Sequence, residues 1–233
     1  MGFKKIIGIL GGMGPYATID VYKLILDSIH AENERDYPHI IITSNPQMPS
    51  RTRAFLFGEK SPVPYLIKEA RRLESAGADF IIVPCNSAHL FLEEVRKNIG
   101  IEILDIVKIT VEHIKKKYPY FKKICVLGGE IVLEGALYER DLKEKNIDVI
   151  RLHDKDKALL RKTIDMIKHN KFDSNLVVEF NDLISRVIKM GAEAIVLGCT
   201  ELPILFRDIK ASVPVIDSNR LIVEYAIRRA QSE

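Results

Sequence analysis

Two cysteines stand in matching surroundings, in "IIVPCNSAH" (81–89) and "AIVLGCTELP" (194–203). In each, an apolar run stops at a proline or glycine, the thiol follows, and hydroxyl or amide residues come next. In an open parallel sheet ligands bind beyond the carboxyl ends of the strands, which is where Cys85 and Cys199 are expected. Each thiol also precedes an expected helix, whose positive end lowers a thiol pKa from its free value of about 8.5. Two tunable thiols flanking one small molecule can take a proton from one face of a carbon and return one to the other. A carbon acid leaves an anion that must be stabilised. The backbone amides of Asn86, Ser87, Thr200 and Glu201, at the two helix starts, are placed for that. The bland alternative is a pair of small core cysteines duplicated along with their domain. Asn-Ser and Thr-Glu after the thiols argue against it, being poor core residues and good caps or ligand contacts.

Those cysteines need a scaffold, and short β-branched runs alternate with longer amphipathic stretches throughout. Strands are expected at 5–10, 39–43, 79–83, 101–104, 123–127, 148–152, 193–197 and 213–216. Strands alternating with helices imply parallel sheets covered on both faces. The chain also repeats itself. "GADFIIVPCNSAH" (77–89) matches "GAEAIVLGCTELP" (191–203), "KKIIGILGG" (4–12) matches "KKICVLGG" (122–129), and Asp105 matches Asp217. Three landmarks in the same order at nearly one offset imply an α/β protein of two similar domains, 1–108 and 109–215. A last helix over about 216–233 is expected to pack back on the first copy. Each domain is a parallel sheet flanked by helices, and pseudo-twofold symmetry would put the active site between them.

The 233 residues are 47% hydrophobic and 29% charged, ordinary for a globular protein. The formal charge of +3, from 35 basic and 32 acidic residues, argues against a nucleic-acid partner. The one dense basic stretch, "HIKKKYPYFKK" (113–123), reads as lysines at the negative pole of a helix. No apolar run approaches the roughly 20 residues that span a bilayer, and "MGFKKIIGILGGMGP" reads as a first strand rather than a signal peptide. The expectation is a cytoplasmic protein with no membrane partner. Three widely spaced cysteines form no disulfide framework and no metal-ligand pattern.

"GGMGPYAT" (11–18), "PCNSAH" (84–89) and "GCTELP" (198–203) resemble the signature segments of the aspartate/glutamate racemase family, which works without pyridoxal phosphate. The glycine segment and "GCTE" are more similar to the aspartate branch. The resemblance implies no cofactor, a homodimer, a small dicarboxylic amino-acid substrate, and Cys85 and Cys199 as the catalytic bases. Cys199 would serve the L-enantiomer and Cys85 the D-enantiomer. It further implies Met13, Asn86, Ser87, Ala88 and Thr200 as substrate contacts. "NPQMPSRT" (45–52) is similar to the family's carboxylate-binding segment, which makes Arg51 the carboxylate partner. Lys168 falls where the family has a second cationic contact. One segment departs from the pattern: "LGGEIVLEGALY" has Gly129 and Val132 where the family carries hydroxyls, with Glu130 between. Glu130 either holds the substrate ammonium or faces solvent.

The glycine loop lacks the Gly-Lys-Ser/Thr of a P-loop, and the second strand ends in Thr43, Ser44 and Asn45 rather than the acid of a dinucleotide fold. The glycines are expected to let backbone amides approach a small carboxylate. Cys125 reads as core. His89 either tunes Cys85 or caps, no second His/Cys cluster supports a metal, and Asp105 and Asp217 read as N-caps. Two other functions fit the same residues: isomerisation of another small acid or of a hydantoin, and a silent dicarboxylate sensor, which would not need both thiols.

Overall fold

In a computed structural model, residues 2–169, 171, 173–206 and 211–232 are described. The chain divides into two compact units. One comprises the chain through Ile109 together with the residues from Asn219 on; the other is Thr110–Ser218.

The first unit contains β1 (Ile7–Gly11), α1 (Pro15–Asp27), β2 (Ile40–Ser44), α2 (Arg51–Phe57), α3 (Val63–Ser75), β3 (Phe80–Ile82), α4 (Leu92–Arg96), β4 (Glu102–Ile103) and the start of α5 (Ile106–Lys117). Its sheet is parallel, in the order β2-β1-β3-β4. Central strands β1 and β3 are buried throughout, as continuous apolar runs in a parallel sheet must be. The edge strand β2 alternates half-buried and exposed residues towards its end. Because β2 and β3 flank β1 on opposite sides, the chain reverses its order there. That is where the carboxyl ends of such a sheet open into a crevice.

The second unit repeats the plan with β5 (Lys123–Leu127), α6 (Glu130–Glu134), α7 (Glu139–Glu144), β6 (Asp148–Ile150), α8 (Asp154–Lys168), α9 (Ser174–Lys189), β7 (Ala194–Leu197), α10 (Leu202–Phe206) and β8 (Val215–Asp217). The order β6-β5-β7-β8 is again parallel throughout. The following helix, α11 (Ser218–Gln231), bonds back to the first unit: Lys4 N–H donates to the Ala230 carbonyl at 2.8 Å, and Arg229 pairs with Glu102 at 3.2 Å.

The repeated Gly-Ala-acid motif has a local cause in both units. Gly77 and Gly191 take φ of +95° and +93° just past α3 and α9, a conformation that costs glycine nothing. The next amides then close back on the helices, Ala78 to the Leu73 carbonyl at 3.0 Å and Ala192 to Val187 at 3.3 Å. The acid that follows grips the start of the neighbouring strand. Asp79 accepts from the Ile6 amide at 2.6 Å, and Glu193 accepts from the Lys123 amide at 2.8 Å. Turn chemistry thus sets where β3 and β7 begin, and so where they end. Lys115, Lys116 and Lys117 occupy the last turn of α5, which accounts for three of the five lysines in the basic stretch; Lys122 precedes β5 and Lys123 opens it.

Candidate active site

β3 ends at Ile82, and Pro84, which has no N–H for the ladder, keeps the strand from continuing. Cys85 then sits at the head of a six-residue 3-10 turn, Asn86–Phe91, not of an α-helix. That difference leaves only a short run of aligned peptides behind the thiol, so the amides act as individual donors more than as a macrodipole. Cys85 is 6% exposed and shares one apolar cluster with Met13, Met48 and Ala88. Asn86 is buried and Ser87 half-buried. His89 makes two backbone contacts: Nδ1 donates to the Cys85 carbonyl at 3.0 Å, and Nε2 accepts from the Ile106 amide at 3.3 Å. Those partners assign the neutral Nδ1–H tautomer. Burial pushes the imidazole below its ordinary pKa, with Asp105 pulling the other way. His89 therefore fixes the Cys85 main chain to the start of α5, while Asp105 caps that helix through Val107 and Lys108.

The loop after β2 carries Arg51. Ser50 caps α2 by accepting from the Arg53 amide, and Arg51 is the first residue of the helix. One guanidinium nitrogen donates to the Pro49 carbonyl at 3.2 Å. The buried Nε has no hydrogen-bond partner among the described residues, so a donor is left for an anion. Asn45 anchors the loop: its amide nitrogen donates to Glu69 at 3.0 Å and its oxygen accepts from the Gln47 amide at 3.0 Å. Glu69 is buried and also pairs with Arg72 at 2.7 Å. Gly12, at φ +92°, packs its α-carbon directly against the Asn45 main chain. The glycine loop after β1 and the arginine loop after β2 are thus wedged together, with Met13 beside the wedge.

In the second unit Gly198 ends β7, and its amide donates to the Leu127 carbonyl at 2.7 Å. Cys199 follows, half-buried, with Thr200 and Glu201 both buried. The thiol donates to Glu201 Oε2 at 2.9 Å, and Thr200 Oγ1 donates to the same oxygen at 3.2 Å. Burial and the Glu201 carboxylate hold the Cys199 thiol well above its ordinary pKa. The positive charge of Lys168, at the end of α8, and a hydrogen bond from the Glu201 amide oppose that rise. Lys168 thus acts on the Cys199 thiol electrostatically, and Thr200 shares its acceptor oxygen. The helix after this thiol, α10, has only five residues.

Glu130 opens α6 and lies 3.9 Å from Arg161 of α8, half-exposed. Val132 is buried and would meet a Cβ on Gly128 at 2.8 Å, so packing occupies the place of the family hydroxyl. Two groups escaped the sequence reading. The Glu201 side chain was visible only as the position matching Ser87 in the other repeat, a carboxylate against a hydroxyl. Glu69 carried no signal, nor did its contact with Asn45, which links residues far apart in the chain. Among the described residues no group of three or more His, Cys, Asp or Glu is placed to hold a metal, and no helix is long and apolar enough to cross a membrane.

The chain is thus a doubled parallel α/β protein with one thiol at the corresponding strand end of each half. Residues 10–226 match the Asp/Glu/Hydantoin racemase family, to which this chain belongs; it is an amino-acid racemase, hence an isomerase. It is 31% identical over 225 residues to the broad specificity amino-acid racemase RacX of Bacillus subtilis (strain 168), covering 95% of this chain and 96% of that protein. The structure of Picrophilus torridus aspartate racemase superposes with a TM-score of 0.82 at 27% identity, covering 97% of this chain and 94% of the other. The glutamate racemase of Aquifex pyrophilus is 26% identical over 162 residues, covering 68% of this chain and 61% of that protein.

Proposed function

We propose that the protein racemises a small acidic amino acid, aspartate before glutamate, with Cys85 and Cys199 as the two bases and without a cofactor. The observation that carries this reading is the placement of the thiols. They follow β3 and β7, equivalent strands of two sheets with the same order. One thiolate takes the Cα proton, the electron pair of the broken C–H bond stays on the substrate, and the opposite thiol supplies a proton to the other face. Arg51 binds the side-chain carboxylate through its unpartnered Nε. Met13, Ala88, Asn86, Ser87 and Thr200 are the further substrate contacts of this proposal, and Lys168 adds a cation that acts on Cys199. The proposal takes the working protein as a cytoplasmic homodimer.

A wider substrate range is the second reading. The relative named as a broad specificity racemase supports it, as do the two missing hydroxyls at Gly129 and Val132. Proton NMR in heavy water tests both. Each enantiomer of aspartate, glutamate, alanine, serine, lysine and arginine is incubated with protein, and loss of the Cα signal is followed. Exchange and inversion confined to the acidic pair support the first reading, and inversion across the panel supports the second. Binding of aspartate without exchange at Cα would favour a sensor. Inversion of a hydantoin alone would move the substrate off amino acids. Cys85→Ser and Cys199→Ser should each abolish inversion, serine being a far weaker base at neutral pH, whereas Cys125→Ser should not. Near-normal racemisation by either of the first two would be incompatible with two thiol bases.

A further inference from the structure

The two thiols do not have equivalent neighbours. Cys199 Sγ lies 2.9 Å from a carboxylate oxygen of Glu201, which is only 4% exposed. The corresponding residue of the first repeat is Ser87, whose hydroxyl carries no charge. His89, four residues after Cys85, has both ring nitrogens turned to backbone groups. At 2.9 Å a thiolate and a carboxylate would repel strongly in a buried setting, whereas a thiol donating to a carboxylate makes a charge-assisted hydrogen bond. Only one negative charge fits the pair.

We propose that Glu201 assigns the acid: it holds Cys199 as the thiol, so that the free enzyme carries its reactive thiolate on Cys85. This rests on the two-thiol reading above. The free enzyme then exists in two forms, one with the charge on Cys85 and one with it on Cys199, and Glu201 favours the first. In that form Cys85 takes the Cα proton of the enantiomer facing it, and the S–H proton of Cys199 passes to the opposite face of Cα. The Cys199 thiolate left behind is carried by the Glu201 amide and the charge of Lys168 until Cys85 gives its newly gained proton to solvent and Cys199 takes one back. No net proton is gained or lost over the cycle.

The test is Glu201→Gln, which keeps shape and an acceptor oxygen but removes the charge. In a chain whose only cysteine is Cys199 (Cys85→Ser, Cys125→Ser), alkylation by iodoacetamide at pH 8 reads the thiolate fraction without requiring catalysis. Removing a like charge at this distance should raise that rate roughly tenfold to a hundredfold, and Glu201→Asp should restore the slow rate at least in part. A change of less than twofold on Glu201→Gln overturns the proposal. The second readout uses Glu201→Gln in the otherwise native chain and the amino acid it inverts fastest. Enantiomers have equal free energies, so kcat/KM must stay equal in the two directions. The KM of the enantiomer facing Cys199 should fall relative to the other by at least tenfold, with kcat moving in step. An unchanged KM ratio overturns the assignment even if activity drops, because a general loosening of the site has no reason to favour one enantiomer. If the cysteine variants leave racemisation intact, the two-thiol reading fails, whatever Glu201 does to the alkylation rate.

Discussion

Replacing Gly12 by alanine separates a folding effect from a catalytic one. A Cβ at this position would lie 2.3 Å from the Asn45 nitrogen, 2.5 Å from its carbonyl carbon and 2.7 Å from its oxygen. All three are backbone atoms, so no rotamer change relieves the contact. The main chains would have to part by about 1 Å to reach ordinary contact at 3.4 Å. The φ of +92° alone costs an alanine about 1–2 kcal/mol. Parting the loops also pulls Asn45 from the buried Glu69, a bond to a charged acceptor worth about 1.5–3 kcal/mol. The expected loss is about 3–5 kcal/mol, a large part of the roughly 5–15 kcal/mol that stabilises a domain. If the loops shift instead of unfolding, Arg51 and Met13 move with them. A displacement of about 1 Å at a positioned group costs roughly a hundredfold in rate. Urea unfolding and the heavy-water exchange assay measure the two outcomes on the same protein. Gly58→Ala is the control: its φ is +65°, nothing lies near its would-be Cβ, and it should cost only about 1–2 kcal/mol. The wedge between the two loops is refuted if Gly12→Ala stays within about 1 kcal/mol of the parent and keeps a third of its activity.

Arg51→Ala should weaken binding of aspartate by one to two powers of ten while hardly changing that of alanine, a desolvated carboxylate contact being worth about 1.5–3 kcal/mol; equal losses in competition assays would remove Arg51 from side-chain recognition. Arg186→Ala should destabilise the protein by an amount near the lower end of about 3–5 kcal/mol. It strands Asp156, whose Oδ1 takes hydrogen bonds at 3.0 and 2.6 Å from a half-exposed Arg186, and denaturant unfolding measures the loss. Alkaline stability should report Cys125, whose thiol burial and Asp156 push up to about 12 from about 9. The folded state binds that proton more tightly, so the contribution is full below about pH 9 and is lost as pH rises towards 12. Unfolding midpoints should therefore fall more steeply over that window in the parent than in Cys125→Ala, and parallel slopes would exclude the thiol as the cause.

The eight expected strands were legible because each is a short apolar, β-branched run, and β3 and β7 each follow a glycine turn that fixes their start. The repeat was legible because Gly77 and Gly191 sit where only a left-handed backbone closes the turn, and Asp79 and Glu193 where a carboxylate must hold the adjoining strand. The cysteines stood out for a related reason: a proline or glycine stops the strand just before each. The kind of helix that follows was not legible. Asn86–Phe91 takes the tighter 3-10 form, in keeping with the weak helix propensity of Asn86, Ser87, His89 and Phe91, but a six-residue stretch does not announce which form it takes. Side-chain partnerships across the chain, Asn45 with Glu69 and His89 with Ile106, depend on the fold itself and leave no local trace. Glu201 was a middle case. Its neighbour relation to Cys199 is local, but reading it required knowing that the side chain turns inward.

The Lys4–Ala230 bond bears on the order in which the units are made. The second unit is one continuous stretch, Thr110–Ser218, and has all its residues once Ser218 has been synthesised. The first unit starts earlier but includes residues from Asn219 on, so it lacks a component until residue 230 leaves the ribosome. Vectorial synthesis therefore inverts the usual sequence, in which the N-terminal domain folds first. The second unit can be complete while the first still lacks its last helix. A chain ending at Ser218 and tethered to the ribosome by a long unstructured linker should expose a protease-resistant second unit beside a labile first one.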